Sequence, residues 1–140
     1  MTSRLLALTV VLFLAVPVLA HHPFSAEYDW KKPVTVAGTV TKVDWANPHA
    51  RIFVDAKDTT GKMVNWEFEL GALTALTKAG WNKTTVKTGD SISVDGWQSK
   101  NRANGANAKS VRLPNGRELS AASSIADPNT TETKVSSAAK

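Results

Sequence analysis

A chain of 140 residues without cysteine cannot form disulfides, use a thiolate nucleophile or hold a metal ion through sulfur ligands. That length suits one small domain and excludes two domains of ordinary size. The 17 basic and 12 acidic residues give a net charge of +5 and are scattered along the chain, which is typical of a solvated surface with a slight positive bias.

The first 20 residues have the composition of a secretory signal peptide. Arg4 supplies a positive charge, residues 5–16 are almost entirely apolar, and small residues precede a cleavage site after Ala20. The apolar run is too short to cross a bilayer and no later run is longer, so we expect no membrane span after cleavage. Export argues against a nucleic-acid partner, and cleavage would make His21 the first residue of the mature chain.

A lead-in segment at residues 21–33 precedes the predicted domain, which covers residues 34–119. Period-two alternation of apolar residues predicts five main strands, at residues 34–41, 51–57, 64–70, 91–97 and 108–113. Residues 72–79 form the one predicted helix, and a short final strand ends at Leu119. Residues 120–140 carry few large apolar side chains, so we expect them to form a disordered tail.

The order of three strands, one helix and two strands is that of the OB-fold, a five-stranded Greek-key barrel. The sequence therefore predicts an all-β, OB-like domain with one short helix. A small β-sandwich is the alternative that the pattern leaves open. Because OB-folds bind ligands on the face of strands two and three and on the loops after strands one and four, we expect a site there.

Seven short motifs lie between residues 21 and 108, namely HHPF with EYD, KPVT, GTV, WANPHA, WEFELG, GW and ANA. In combination they resemble a family of small exported bacterial proteins known only as a domain of unknown function. The resemblance implies a location in the bacterial periplasm or medium, and it implies no established activity and no catalytic residues. Pro23 stands where that family is expected to have serine, a change that alters the local backbone and removes no expected ligand.

The histidines of the chain are His21, His22 and His49, and they form a candidate metal site. After cleavage, the amine and the imidazole of His21 could chelate one ion, because an α-amine with a pKa of about 7.7–8.0 loses its proton at little cost. His22 or His49 would add a further nitrogen, and copper or zinc would be the favoured ion. A flexible polar start, with a His49 that only caps a turn, is the alternative.

Aromatic and basic residues mark a second candidate site at the mouth of the predicted barrel. Trp45 and Trp97 border the loops after the first and fourth strands. Arg51 and Phe53 share one face of the second strand, and Arg102 lies in the loop after the fourth. Stacking on the rings together with hydrogen bonds from the arginines would suit a small flat ligand or a sugar. Alternatively, both tryptophans only cover the ends of the barrel.

Glu67 and Glu69 share one face of the third strand, about 7 Å apart. That separation lies near the range used in glycoside hydrolysis, although alternating glutamates on an exposed strand face are also ordinary solvation. With no other catalytic arrangement in the sequence, we expect a protein that is not an enzyme. The favoured interpretation is a periplasmic binding module for a small molecule or a protein partner, and the alternative is a copper- or zinc-binding protein.

Overall fold

The computed structural model of this chain describes residues 24–123, which hold six strands and two short helices. In chain order they are α1 (Phe24–Glu27), β1 (Tyr28–Asp44), β2 (Arg51–Lys57), β3 (Met63–Glu69), α2 (Leu73–Lys78), β4 (Ser91–Ser99), β5 (Gly105–Arg112) and β6 (Glu118–Ser120). Neither of these helices has the length and apolar composition that a bilayer span requires. The predicted signal peptide, His21, His22 and residues 124–140 lie outside the described residues.

The strands follow the order β3-β2-β1-β4-β5 around a ring, and β6 pairs with β5. Neighbours along this order are antiparallel. The ring closes where Glu67–Glu69 of β3 pair in parallel with Gly105–Asn107 of β5. With α2 between β3 and β4, this is the topology of the OB-fold, so the predicted OB-like, mostly β architecture is confirmed. The sequence predicted only α2. The short helix α1 at the start of the described residues was not predicted.

β1 is 17 residues long and belongs to both sides of the ring. Its first part pairs with β4 and its last part with β2, and both partners meet it at Thr39. Gly38 packs directly on the backbone carbonyl of Asp55, where a side chain would not fit. Gly38 is therefore a point of close approach between two strands, and the bulge in the ladder lies between Val40 and Lys42.

The core is built from the apolar positions that alternate along the strands. Every strand and α2 contribute buried side chains to it, among them Val36, Val40, Ile52, Val54, Phe68, Leu76, Ile92, Val94, Val111 and Leu119. Burial of this apolar surface is the main term that stabilises the fold. The β2–β3 turn has Gly61 at a φ of 86°, a conformation that favours glycine.

The first strand starts earlier than the sequence indicates. β1 begins at Tyr28 and not at Val34, because Tyr28 pairs with Ser99 and only 2% of its surface is exposed. The segment assigned as a lead-in is therefore partly strand. Its start is held to the rest of the fold, since the N–H of Lys100 donates to the carbonyl of Glu27.

The folded part also ends later than predicted. Ser120 lies in β6, and the buried Ala121 donates its N–H to the Lys109 carbonyl and accepts a hydrogen bond from the N–H of Gly71. The indole Nε1 of Trp81 donates to the Ser120 carbonyl at 2.8 Å. The prediction of a tail disordered from residue 120 is therefore wrong for its first residues. Backbone hydrogen bonds hold these residues, and their small side chains give no sign of this in the sequence.

Candidate functional site

His49 stands in the β1–β2 loop, two residues before β2 begins at Arg51. The neighbouring Ala50 donates its N–H to the Gly71 carbonyl and accepts a hydrogen bond from the N–H of Leu70, so this end of the loop is held against the end of β3. Nδ1 of His49 lies 3.0 Å from Oε1 of Glu69. The contact orients the imidazole toward the outer face of the β2–β3 pair.

Glu67 and Glu69 are enclosed by basic side chains. Glu69 is only 8% exposed, and Nη2 of Arg51 lies 3.7 Å from its Oε2. Nε of Arg51 lies 3.2 Å from Oε1 of Glu67, yet this buried nitrogen makes no hydrogen bond, so the contact is an ion pair with poor N–H alignment. The interpretation of these glutamates as a solvated strand face is therefore wrong for Glu69, which is buried.

Arg102 approaches the same glutamates from the β4–β5 loop. Its Nη1 lies 2.6 Å from Oε2 of Glu67, and its Nη2 donates to the Tyr28 hydroxyl at 3.4 Å. The loop itself is held in place, since Nε2 of Gln98 donates to the carbonyls of Arg102 and Ala103. Partial burial acts to lower the pKa of Arg102, but its hydrogen bond and charge interaction with Glu67 outweigh this and raise it.

Tyr28 lies beneath the two arginines and is almost fully buried. Its hydroxyl hydrogen bonds to Glu69 as well as to Arg102. Burial and the negative charge of Glu69 raise the pKa of Tyr28 far above its ordinary value, and the positive charge of Arg102 only partly opposes this. Tyr28 therefore stays a neutral phenol that can both donate and accept a hydrogen bond.

These contacts join the β1–β2 loop and the β4–β5 loop at one end of the sheet. We call the group of residues that they connect the rim cluster: Tyr28, His49, Arg51, Glu67, Glu69 and Arg102. The side chains of Arg51 and Arg102 are 43% and 41% exposed, so both guanidiniums present N–H donors to solvent. With two arginines against two glutamates, the cluster offers paired donors and acceptors and little net charge.

Phe53 extends the rim cluster along β2. It follows Arg51 on the outer face and stands directly opposite Glu67 in the ladder. Nζ of Lys42 lies 5.1 Å from the centre of its ring. The structure thus brings four sequence-predicted residues together, in the order His49, Arg51, Phe53 and, across β3, Arg102.

Trp45 does not join them. It packs against the core and lines a small apolar pocket together with Trp81 and Val86. This placement is the one expected of a tryptophan that covers the end of the ring. Among the described residues, Trp45 therefore provides no stacking surface for a ligand bound at the rim cluster.

Trp97 reaches the rim cluster only through other rings. It is 8% exposed, and its ring meets Phe24 edge-on at 5.9 Å. Phe24 in turn stacks on Tyr28 at 5.1 Å. Trp97 therefore supports the residues beneath the cluster and exposes little surface for stacking.

The sequence interpretation missed Tyr28 and set aside the two glutamates. Tyr28 lies in the segment assigned as a lead-in, and its burial depends on Ser99, far along the chain. Glu69 could have been found by pairing the second and third predicted strands as a hairpin, because their register places Arg51 directly opposite Glu69.

The described residues include only one of the three histidines of the predicted metal site. Among residues 24–123, no three His, Asp or Glu side chains are arranged to hold a metal ion. His49 is in this range and contacts Glu69, whereas His21 and His22 lie outside it. The metal site stays a prediction.

Known proteins provide two points of comparison. The model of a family of unknown function, DUF6152, matches residues 9–108 of this chain. Among solved structures, the mitochondrial single-stranded DNA binding protein Rim1 from S. cerevisiae is similar, with a TM-score of 0.44 and 8% sequence identity over 59% of this chain and 92% of that one. No curated protein matches the sequence.

Proposed function

Since this chain belongs to DUF6152, a family of unknown function, we propose its role from the geometry of the rim cluster: an exported module that binds a small ligand or a partner group there. The observation that carries the proposal is the convergence of His49 and Arg102, from two different loops, on the neighbouring Glu69 and Glu67. Side chains held in place before binding lose little entropy when a ligand arrives, which favours recognition.

The charge arrangement supports binding over catalysis. Each glutamate of the cluster contacts an arginine, so both carboxylates are already engaged in ion pairs within the protein. We therefore propose a protein that is not an enzyme, whose ligand accepts hydrogen bonds from Arg51 and Arg102.

Location in the periplasm, or secretion, is part of the proposal. It is supported by the positive Arg4, the apolar run that follows and the small residues before His21. Mass spectrometry of the protein purified from the periplasmic fraction should show a chain that begins at His21. Recovery of the uncleaved chain from the cytoplasm would contradict it.

Intrinsic tryptophan fluorescence and thermal shift can test the binding role against a panel of amino acids, dipeptides, mono- and disaccharides and dicarboxylates. We expect at least one compound to bind, with affinity reduced about tenfold or more in Arg102→Ala, because a charge-assisted hydrogen bond is lost. Arg112→Ala is the matched control, since Arg112 forms an exposed ion pair with Glu118 on other strands. Binding that both variants leave unchanged would rule out the rim cluster as the site.

A second candidate function, binding of copper or zinc, is favoured by a specific chain of contacts. Phe24, the first described residue, stacks on Tyr28, whose hydroxyl bonds to Glu69, and Glu69 contacts Nδ1 of His49. In the sequence, His22 is separated from Phe24 by one residue. A carboxylate at Nδ1 is also the usual support for a histidine that binds metal through Nε2.

Calorimetric titration of the mature protein with Cu²⁺ and with Zn²⁺ tests this second candidate. An extra alanine in front of His21 should weaken binding strongly, because it separates the amine from the imidazole of His21. His49→Ala should weaken it if the loop supplies a ligand, and Arg112→Ala should leave it unchanged. Equal affinity in all these proteins would exclude the predicted site.

A further inference from the structure

The start of β1 contains an irregular segment that the binding role does not use. Tyr28 pairs with Ser99 and Pro33 pairs with Trp97, so the four residues 29–32 stand opposite the single residue Gln98. A regular ladder would place one residue there. The segment therefore forms a large, irregular bulge on the surface of the sheet.

Its side chains combine an aromatic ring with positive charge. Trp30 is 48% exposed, which is unusual for so large an apolar side chain, and Lys31 and Lys32 are exposed beside it. Nζ of Lys31 lies 5.2 Å from the centre of the Trp30 ring. The one acidic residue of the bulge, Asp29, accepts a hydrogen bond from the N–H of Lys31 at 3.0 Å.

We propose that this bulge docks the protein on an anionic lipid surface, with the Trp30 ring at the level of the headgroups and the two lysines against their negative charge. Tryptophan favours the boundary between water and lipid because its ring is apolar and its N–H is polar. Each lysine near an anionic surface strengthens attraction. The exported chain, which has lost Arg4, keeps 16 basic and 12 acidic residues, and its net charge of +4 acts in the same direction. One ring with two lysines gives weak, reversible docking.

The opposite end of the sheet supplies a matched comparison. Met63 at the β2–β3 turn is 55% exposed and is flanked by the exposed Lys57 and Lys62. Met63 and Lys57 face each other in a regular ladder, and Asp58 lies in the turn between the two strands. This patch has the same charge and exposure without an aromatic ring or a bulge, so it separates a specific docking site from general attraction of a basic protein.

Co-sedimentation of the full exported chain with vesicles of phosphatidylglycerol and phosphatidylethanolamine tests the proposal. We expect binding that is absent on phosphatidylcholine vesicles. It should fall steeply as salt rises from about 0.01 M to about 1 M, where the Debye length shrinks from about 30 Å to about 3 Å. Trp30→Ala should weaken binding about fivefold or more, and the Lys31→Ala and Lys32→Ala changes should each weaken it about fivefold.

The controls decide between lipid docking and its alternatives. Met63→Ala, and Lys57→Ala with Lys62→Ala, should reduce vesicle binding no more than the loss of net charge predicts, and far-UV circular dichroism should show that all variants fold. Equal losses from the two patches would overturn the proposal. Absence of vesicle binding would overturn it as well, and a dimer that Trp30→Ala dissociates would then assign the bulge to a second copy of this chain.

Discussion

Nη1 of Arg102 lies 2.6 Å from Oε2 of Glu67, and this ion pair joins the β4–β5 loop to β3 where the ring of strands closes. The backbone supports the same junction, since the N–H of Glu67 donates to the Asn104 carbonyl at 2.9 Å. The parallel β3–β5 pairing involves only Glu67–Glu69 and Gly105–Asn107. The rim cluster therefore lies at this β3–β5 closure, which we call the seam. The residues proposed to bind a ligand also help to close the sheet.

Replacement of Glu69 by alanine tests how much the cluster stabilises the fold. Its buried carboxylate contacts His49, Tyr28 and Arg51, and its removal leaves the buried Tyr28 hydroxyl with one partner fewer. We expect the free energy of unfolding in urea to fall by about 1–3 kcal/mol. Glu118→Ala removes an exposed ion pair and should change it by less than about 1 kcal/mol, so equal losses would contradict a special role for Glu69.

Tyr28 gives a prediction about pH, because it is the one tyrosine in the chain. Burial and the charge of Glu69 raise its pKa above the ordinary value of 10.0. The folded state therefore favours the protonated phenol, and the stability that this contributes is fully present below about pH 10 and is lost as pH rises toward the folded-state pKa. The absorbance of the phenolate should appear together with unfolding, as followed by circular dichroism.

Two results bear on this prediction. In Tyr28→Phe the phenolate absorbance should vanish, and stability should decline less steeply above pH 10 than in the unchanged protein. Ionisation of Tyr28 near its ordinary pKa in a protein that is still folded would show that the hydroxyl is not enclosed as described.

Local patterns were sufficient to predict most of the sheet. Alternation placed β2 and β3, and the residues before Gly80 placed α2, because these elements are short, regular and amphipathic. The start of β1 escaped prediction because the bulge at residues 29–32 interrupts the alternation with polar side chains. Ser120 and Ala121 escaped it because their small side chains give little apolar signal in the sequence, although strand pairing and backbone hydrogen bonds hold them.

The candidate site was predictable only in part, for a related reason. Arg51 and Arg102 stand out as basic residues on a strand face and in a loop of an OB-like domain. Glu69 gives no such signal within its own strand, where it looks exposed, because its contacts with Tyr28, His49 and Arg51 come from other parts of the chain. Contacts between residues distant in sequence are what a pattern along one strand cannot show.

Gly71→Ala tests the docking of the last described residues on the end of β3. A methyl group at Gly71 would meet the backbone carbonyl of Ala122, which cannot move aside as a flexible side chain would. We expect the hydrogen bond from Gly71 to the Ala121 carbonyl to break and stability to fall by about 1–3 kcal/mol. NMR should show faster exchange of the backbone amide at position 71, which donates that hydrogen bond, and a protected amide there would contradict the contact.

Arg102 variants separate two effects of this side chain, one on global stability and one on local opening of the β3–β5 closure. Because its side chain is 41% exposed, solvent screens the ion pair, and Arg102→Ala should cost no more than about 1 kcal/mol of global stability. Its local effect should be larger, since the β3–β5 closure is short and the loop loses its contacts with Glu67 and Tyr28. Amide exchange at Gly105–Asn107 should therefore accelerate in Arg102→Ala, and partly in Arg102→Lys, because lysine keeps the charge but cannot reach both partners with a rigid fork. Arg112→Ala should leave the exchange of the Gly105–Asn107 amides unchanged.

If Arg102→Ala also left the exchange of these amides unchanged, the Arg102 side chain would not support the seam. Any loss of ligand binding in that variant would then be a direct effect on recognition.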